Sequence, residues 1–321
     1  MVLALHGSGI RAGYFESHAE PGHSLLDVGA KLGFTVLALD RPGYGESASL
    51  LPEGAPTQEQ AVLLRAALKD FARTRETGQG FFVVAHSSGG KTALAMAAQD
   101  LDDRIIGLDI SGLGSTPAAD ATLPRHSVGR IDGYRHWGDP ALYPAETFRR
   151  CRSLLASIPV QEIQELPLWP EMYACLAASV TVPVRFTFAE QEPWWQFGAQ
   201  AVADLTAPLA SVRVQVDHQP DAGHNISLGW AARTYHLRAL AFLEECLLAR
   251  RTAQTPGSAP GPDPAPAPAP GPDYGQPPDL APAPDLTPIE PLPSDDSMSA
   301  SASWQFLKRV MFPLASAPDT T

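Results

Sequence analysis

The sequence predicts an α/β fold in which helices cover both faces of a mostly parallel sheet. Short apolar runs rich in β-branched and aromatic residues alternate with longer segments of helical periodicity, which is typical of parallel strands joined by helices. The apolar runs are continuous rather than alternating, as expected of strands that are buried on both faces. With 321 residues, the chain is long enough for one such domain of about 250 residues and an appendage.

Six strands and four long helices are predicted in the regular part of the chain. The strands comprise residues 2–5, 34–39, 81–85, 105–109, 182–188 and 212–216. The helices comprise about 23–32, 57–75, 88–99 and 228–248. In the first long helix, Ala61, Leu64 and Leu68 recur at the three-and-four spacing of one buried face.

A long insertion interrupts this alternation. About 70 residues separate the fourth predicted strand from the fifth, which is far more than an ordinary connection needs. Helix-like segments at about 145–156 and 161–180 lie within it. A helical lid over about 112–181 is the favoured interpretation, and a subdomain that only packs on the sheet is the alternative.

Prolines separate the folded part of the chain from its C-terminal part. Of the 32 prolines, 15 lie between residues 251 and 300, where Ala and Pro alternate. Such a segment cannot bury enough apolar surface to offset the entropy lost on ordering it. The sequence therefore predicts a folded domain at 1–250, a disordered linker at 251–300 and a short amphipathic segment at 301–321.

Charge and cysteine content exclude several classes of protein. The chain carries 35 acidic and 23 basic residues, a net charge of −12, and has no basic run that would neutralise phosphates, so we expect no nucleic-acid partner. No apolar run reaches the ~18 residues of a membrane-spanning helix, and the N-terminus lacks the pattern of a secretory signal. The widely spaced Cys151, Cys175 and Cys246 predict buried free thiols and a cytoplasmic protein, and a disulfide is the alternative. No metal or cofactor is predicted.

The clearest chemical signature follows the third predicted strand. Ser87 lies between Ala85 and Gly89, where a strand runs directly into a helix, and this matches the small-x-Ser-x-small pattern of a nucleophile elbow. The sharp turn needs small residues two positions before and after the serine, and Ala85 stands where glycine is usual. The hydroxyl is then exposed at a helix N-terminus, where the dipole favours developing negative charge. Ser87 is the predicted nucleophile, and a simple helix cap is the alternative.

Two further loops are predicted around this serine. The loop His6-Gly7-Ser8-Gly9 follows the first strand, and a main-chain N–H of this loop can pair with that of Ser88 to bind an oxyanion. The glycine-rich segment 40–47 follows the second strand. Its interpretation is structural, with Asp40 and Arg41 bracing the loops around the site.

The general base is expected on a loop after the last strand. His224 lies between the strand at 212–216 and the final helix, and His218 is the alternative. His86 adjoins Ser87 in sequence but is expected to point away from the site.

The acid that orients this histidine is expected just after the strand at 182–188. Glu192 is the favoured residue and Glu190 is the second. Asp109, at the end of the preceding strand, is the third candidate.

Taken in order, these motifs resemble the α/β-hydrolase fold superfamily, and within it the lid-bearing serine esterases and lipases. The motifs are HGSG at 6–9, DRPGYGES at 40–47, AHSSGG at 85–90 and AGHN at 222–225, within a resemblance that covers about residues 2–248. The resemblance implies a triad of Ser87, Glu192 and His224. It also implies an oxyanion hole formed by the main-chain N–H groups of Ser8 and Ser88.

The same resemblance implies that the first two strands of the usual sheet are absent. The strand at 34–39 is then an apolar strand at an exposed edge. Because such edges offer unpaired main-chain groups to other chains, we expect either self-association through this strand or poor solubility.

The implied function is that of a serine hydrolase that cleaves a carboxylic ester, thioester or lactone with a hydrophobic substrate part through an acyl-enzyme. An acyltransferase or a C–C hydrolase with the same triad is one alternative. A non-catalytic scaffold that tethers the C-terminal peptide is another. Four aromatic residues, Trp169, Tyr173, Trp194 and Trp195, are expected either to line the substrate pocket or to pack the insertion on the core.

Overall fold

A computed structural model describes residues 1–16, 19–118 and 137–254. It confirms the predicted α/β class, because every strand pairing in its sheet is parallel and helices cover the sheet. The strands are β1 (Val2–Leu5), β2 (Val36–Leu39), β3 (Phe81–His86), β4 (Ile105–Ser111), β5 (Val184–Gln191) and β6 (Val214–Gly223). The helices of the described residues are α1 (Leu25–Lys31), α2 (Thr57–Phe71), α3 (Ser88–Ala98), α4 (Ala145–Arg150), α5 (Val160–Glu165), α6 (Trp169–Ala177), α7 (Ala199–Thr206) and α8 (Ala232–Gln254).

The strand order is β2-β1-β3-β4-β5-β6, and the candidate residues lie at one end of this sheet, where the strands have their carboxyl ends. Because the strands are parallel, the segments after β1, β3, β5 and β6 all leave from carboxyl ends, where the ligand sites of open α/β sheets lie. Within the described residues β2 is an edge strand that pairs with β1 alone, and its Val36, Leu37 and Ala38 are half-buried. The expected edge position is therefore confirmed, whereas self-association stays a prediction.

Two apolar layers enclose the sheet, one on each face. Along β3, Phe81, Val83 and Ala85 face the layer that includes α2, α3 and α6. Phe82 and Val84 face the other layer, which includes α1 and α8. Since side chains of a strand alternate in direction, a strand covered on both faces is apolar at every position. This packing explains the continuous apolar runs of the sequence.

The last two strands extend further than the apolar pattern predicts. β6 continues through polar residues such as Asp217 and His218, and its pairing with β5 persists until Gln191 lies opposite Gly223. The apolar runs end earlier because the carboxyl ends of these strands approach the polar loops of the site. The extended pairing places Glu192 and His224 directly after the ends of neighbouring strands.

The described part of the insertion packs on the loops at the same edge of the sheet. The N–H of Arg11 donates to the carbonyl of Leu154, and the N–H of Ala156 donates to the carbonyl of Gly9, each over 2.9 Å. Residues 119–136 of the predicted lid lie outside the described residues, as do the predicted linker beyond residue 254 and the C-terminal segment. The lid and the linker therefore stay predictions.

The structure bears on two sequence predictions, that the three cysteines are buried free thiols and that no helix spans a membrane. Cys151 and Cys246 are buried free thiols, but Cys175 is exposed on α6, so the expectation of a buried thiol is wrong there. No helix among the described residues is both long and apolar enough to cross a membrane. A cytoplasmic location stays a prediction.

Candidate active site

The serine of the predicted elbow lies in strained backbone. Ser87 joins β3 to α3 with φ 51° and ψ −122°, a region that residues other than glycine rarely occupy. Its N–H donates to the carbonyl of Ser111, at the end of β4, over 2.8 Å. Gly89 permits this turn, because a Cβ there would lie 2.3 Å from the carbonyl oxygen of Leu5. The structure therefore contains the strand, tight turn and helix that the elbow pattern predicts.

The candidate base and the candidate acid are in direct contact. Nδ1 of His224 lies 2.8 Å from Oε2 and 3.0 Å from Oε1 of Glu192. Oε1 of Glu192 also accepts a hydrogen bond from the N–H of Trp194 over 3.1 Å. Both members of the pair are buried. An ionised carboxylate only accepts hydrogen bonds, so a neutral imidazole in this contact has its proton on Nδ1 and leaves the lone pair of Nε2 available.

Close packing places this pair beside the elbow. A Cβ at Gly112, which has φ +62°, would lie 2.7 Å from Cε1 of His224, so the chain after β4 passes directly against the imidazole. The ring of His86 lies 4.7 Å from the ring of His224 between centroids. His86 is the residue before Ser87. The carbonyl of Ser111, the residue before Gly112, accepts the N–H of Ser87. Ser87 therefore belongs to the same cluster of side chains as His224.

The expectation that His86 points away from the site is wrong. Its ring contacts the ring of His224 and also that of Tyr14, which stacks on it with a centroid distance of 4.6 Å. Its Nδ1 atom lies 3.1 Å from Oγ of Ser111. Sequence analysis missed this residue because the direction of a side chain at a tight turn depends on the turn geometry and not on the local pattern.

The other two candidate acids interact with partners other than His224. The carboxylate of Glu190 is exposed and accepts the N–H of Asp221 over 2.7 Å. The carboxylate of Asp109 is buried, pairs with Arg185 over 2.5 Å and accepts the hydroxyl of Tyr235 over 2.9 Å.

The alternative base, His218, lies in β6 and is half-buried. Its ring packs against Phe197, with a centroid distance of 5.1 Å, and against Phe188, with a centroid distance of 6.3 Å. Phe188 belongs to the apolar layer that includes α2, α3 and α6, so these contacts of His218 lie on that face of the sheet. The contact that places a histidine Nδ1 atom against a candidate acid is that of His224 with Glu192.

The two loops of the expected oxyanion hole adjoin the serine. Ser88 is the first residue of α3, so its main-chain N–H has no partner within the helix and lies at the positive end of the helix dipole. A Cβ at Gly7 would lie 3.1 Å from Cβ of Ser87. The hydroxyl oxygens of Ser8 and Ser88 are 2.7 Å apart. The structure therefore brings Ser8 and Ser88 together beside Ser87.

Arg41 braces the loop that carries Ser8. Its Nε donates to the carbonyl of His6 over 2.7 Å and its Nη2 donates to the carbonyl of Gly7 over 3.1 Å. Its main-chain N–H donates to Nε2 of His6 over 2.9 Å. Burial, and then the charge of Arg41, hold the pKa of His6 well below its ordinary value, so the imidazole is neutral and can accept this bond. The bracing role expected of Arg41 agrees with these contacts.

The four aromatic residues expected at the substrate pocket lie in different surroundings. Trp194 is half-buried, with its ring 6.3 Å from that of His224, and Trp195 packs against the core. Trp169 is fully buried and donates its indole N–H to the carbonyl of Gly114 over 2.8 Å. Tyr173 is buried beside Trp169 and donates its hydroxyl to a main-chain carbonyl of α7. Among the four, Trp194 is the one whose ring lies beside the candidate base.

Comparisons with known proteins give a family and several similar folds. A sequence model of the alpha/beta hydrolase family matches residues 2–320, and a comparison with curated proteins found no match. The fold is similar to a monoacylglycerol lipase of Paleococcus ferrophilus, with a TM-score of 0.53, 16% identity and coverage of 76% of this chain and 93% of that chain.

Two further solved structures show the same likeness. One is a thermophilic esterase of Thermogutta terrifontis, with a TM-score of 0.52, 19% identity and coverage of 76% of this chain and 89% of that chain. The other is a Mycobacterium tuberculosis protein assigned as a non-heme bromoperoxidase, with a TM-score of 0.54, 16% identity and coverage of 75% and 92%. At these identities the likeness concerns the fold. No group of three or more His, Cys, Asp or Glu side chains in the described part of the chain is arranged to hold a metal ion.

Proposed function

The chain belongs to the alpha/beta hydrolase family, and we propose that it is a serine hydrolase that cleaves carboxylic esters, thioesters or lactones through an acyl-enzyme. The observation that carries the proposal is the buried contact between His224 and Glu192, with its 2.8 Å hydrogen bond, beside the strained elbow of Ser87. A nucleophile, a base and an acid that orients the base make up the arrangement that acyl transfer needs. A scaffold without activity has no need of strained backbone at this position.

The first half of the reaction forms the acyl-enzyme. Oγ of Ser87 attacks the carbonyl carbon of the ester while its proton moves to Nε2 of His224. Glu192 keeps the proton on Nδ1 and stabilises the imidazolium that forms. The main-chain N–H groups of Ser8 and Ser88 donate to the negative oxygen of the tetrahedral intermediate. The intermediate collapses as the bond to the leaving group breaks, and the imidazolium returns its proton to the departing alcohol.

The second half regenerates the enzyme. A water molecule takes the place of the alcohol and gives its proton to Nε2 of His224 as it attacks the acyl carbon. A second tetrahedral intermediate forms, and the same two N–H groups stabilise it. The bond to Oγ of Ser87 then breaks, and the serine recovers a proton from the imidazolium. The products are a carboxylic acid and the restored serine hydroxyl.

The substrate class that we propose has a hydrophobic part. The ring of Trp194 beside His224 offers an apolar surface next to the reacting groups, and substrate pockets are lined mainly by such side chains. The names of the similar lipase and esterase agree with this class. Trp169, Tyr173 and Trp195 remain proposed pocket residues, although their contacts in the structure are those of packing.

Covalent labelling tests the proposal. A fluorophosphonate reacts with an activated serine, so we expect it to label Ser87, and Ser87→Ala should abolish both labelling and hydrolysis of a short p-nitrophenyl ester. The matched control is Ser153→Ala, which removes an exposed serine of the insertion and should leave both signals unchanged. His224→Ala should lower kcat by several orders of magnitude. Equal labelling of Ser87→Ala and the unsubstituted protein would contradict the proposal.

A further inference from the structure

We propose that Glu162, in helix α5 of the insertion, is a positioning residue for the oxyanion hole and acts through the hydroxyls of Ser8 and Ser88. The inference rests on the proposed function, because it concerns the two main-chain N–H groups that would stabilise the tetrahedral intermediate. The inference adds Glu162, which lies 154 positions from Ser8 in the sequence, to the residues that shape the oxyanion hole. The insertion then takes part in catalysis through the geometry of the site.

A chain of hydrogen bonds joins the three residues. The hydroxyl oxygens of Ser88 and Ser8 are 2.7 Å apart, and the hydroxyl of Ser8 donates to Oε1 of Glu162. The direction of the chain is determined by its end, because an ionised carboxylate only accepts. Since Ser8 donates its one proton to Glu162, its oxygen accepts the proton of Ser88.

The carboxylate at the end of this chain is held firmly. Both of its oxygens accept from Nη2 of Arg41, over 3.0 and 3.2 Å, and Oε2 also accepts the hydroxyl of Tyr44 over 3.1 Å. Glu162 and Arg41 are buried, with exposed fractions of 5% and 1%. Burial by itself raises the pKa of Glu162, but the charge of Arg41, the Ser8 hydroxyl and the charge of Lys91 outweigh it and leave the pKa lowered. The carboxylate is therefore ionised at neutral pH.

Helix α5 is itself tied to the loops of the sheet. The carboxylate of Glu165 accepts the N–H of Thr57 over 2.8 Å and its hydroxyl over 2.7 Å, at the start of α2. The N–H of Gln161 donates to the carbonyl of Glu53 over 3.0 Å. These bonds flank Glu162 on both sides in the sequence, so its carboxylate has a defined position relative to the sheet.

The chain of hydroxyls links the two halves of the oxyanion hole. The N–H groups of Ser8 and Ser88 belong to segments that are 80 residues apart, and their donor atoms must converge on one oxygen at about 2.7–3.1 Å. The linked hydroxyls belong to these same two residues. Each hydroxyl therefore restrains the main chain whose N–H it accompanies. A purely structural ion pair between Arg41 and Glu162 would need neither serine hydroxyl.

Single and double substitutions of the serines test the inference. Ser8→Ala and Ser88→Ala each keep the main-chain N–H but remove a hydroxyl, and so break the chain of hydrogen bonds. We expect each to lower kcat about tenfold, with KM changed less than about twofold, because the loss affects the transition state. The double variant Ser8→Ala/Ser88→Ala should be no slower than either single variant to within about twofold, since one break already uncouples the loops.

Inhibition by a trifluoromethyl ketone gives a readout that a structural role would not change. The hemiketal that such a ketone forms with Ser87 carries an oxyanion, so we expect its inhibition constant to rise about tenfold in each variant, in parallel with the fall in kcat. Ser24→Ala is the matched control, because it removes another buried serine hydroxyl, the N-cap of α1. It should lower the melting temperature and leave kcat and the inhibition constant unchanged.

The variant Glu162→Gln tests the carboxylate at the end of the chain of hydrogen bonds. The amide oxygen can still accept from Ser8, so this variant, if folded, should lose less activity than Ser8→Ala. Unchanged kcat and ketone inhibition in both serine variants, or an additive loss in the double variant, would overturn the inference while leaving the proposed function intact. If the unsubstituted protein neither hydrolyses esters nor reacts with a fluorophosphonate, both proposals fail together.

Discussion

The Nδ1 atom of His224 lies 2.8 Å from Oε2 of Glu192, and 4% and 5% of the two residues are exposed. A carboxylate out of contact with water is stable only where hydrogen bonds or opposite charge compensate its desolvation. The imidazole and the N–H of Trp194 supply this compensation. The orientation of the imidazole therefore depends on one carboxylate.

We expect Glu192→Gln to lower kcat by about a hundredfold or more, because an amide no longer favours the proton on Nδ1. The matched control is Glu190→Gln, the same chemical change two residues earlier on an exposed side chain. It should change kcat less than about twofold. Steady-state hydrolysis of a p-nitrophenyl ester measures both. A larger loss for Glu190→Gln would show that the acid is misassigned.

Asp109 is predicted to act on stability rather than on catalysis. Its carboxylate compensates the buried guanidinium of Arg185, whose other partner is Asp217. Asp109→Ala should lower the free energy of unfolding by about 3 kcal/mol or more, since it removes the buried partner of a buried charge. Asp217→Ala, which removes the partly exposed partner, should cost less. Urea denaturation gives both values, and kcat per active site, counted by fluorophosphonate titration, should not change in either variant.

The stability of the protein should depend on pH through Lys91. This lysine lies over the ring of Trp169 at 5.0 Å, and burial lowers its pKa from 10.5 to about 8, although the charges of Glu162 and Glu165 oppose the shift. Between pH 8 and 10.5 the unfolded chain binds more protons at this site than the folded chain, so the contribution of Lys91 to stability rises with pH, by about 3 kcal/mol in all.

The variant Lys91→Met isolates this effect from other groups that titrate in the same range. The free energy of unfolding of the unsubstituted protein, minus that of Lys91→Met, should increase from pH 7 to pH 10. Chemical denaturation at several pH values measures the difference. A difference that does not change with pH would mean that Lys91 keeps an ordinary pKa in the folded protein.

The edge strand β2 carries the prediction of self-association. Its main-chain groups on one side have no strand partner among the described residues, and a charged side chain at such an edge opposes pairing. We expect a concentration-dependent mass in size-exclusion chromatography with light scattering, and Thr35→Lys, at the exposed residue before β2, should reduce it. Leu101→Lys, at a residue that is 93% exposed, is the control. A monomer at all concentrations would show that this edge does not associate.

Much of the fold was predictable because its signals are local. Continuous apolar runs indicate strands that are covered on both faces, and the small residues around Ser87 are required by the turn itself. The order of Ser87, Glu192 and His224 along the chain also follows from short motifs. The strand ends were harder to predict, because β5 and β6 continue through polar residues that are paired with each other.

The sequence by itself determined the α/β class, the elbow and a short list of candidates for the base and the acid. Only the tertiary structure shows which of Glu190, Glu192 and Asp109 contacts His224, because these carboxylates differ in burial and in their place relative to the strands: Asp109 lies within β4, Glu190 lies within β5, and Glu192 follows β5. A register shift between Ala189 and Gln191 precedes Glu192, whose carboxylate reaches His224, whereas the carboxylate of Glu190 reaches a main-chain N–H.

The contacts of His86 and Glu162 could not be predicted from the sequence either. The packing of His86 against His224 and the bond between Ser8 and Glu162 join residues that are far apart in the chain or that lie at a tight turn. A local pattern reports how a segment is buried, since burial sets its periodicity. It does not report which side chains from distant segments meet, because their contacts arise only when the loops at the carboxyl ends of the sheet are brought together by folding.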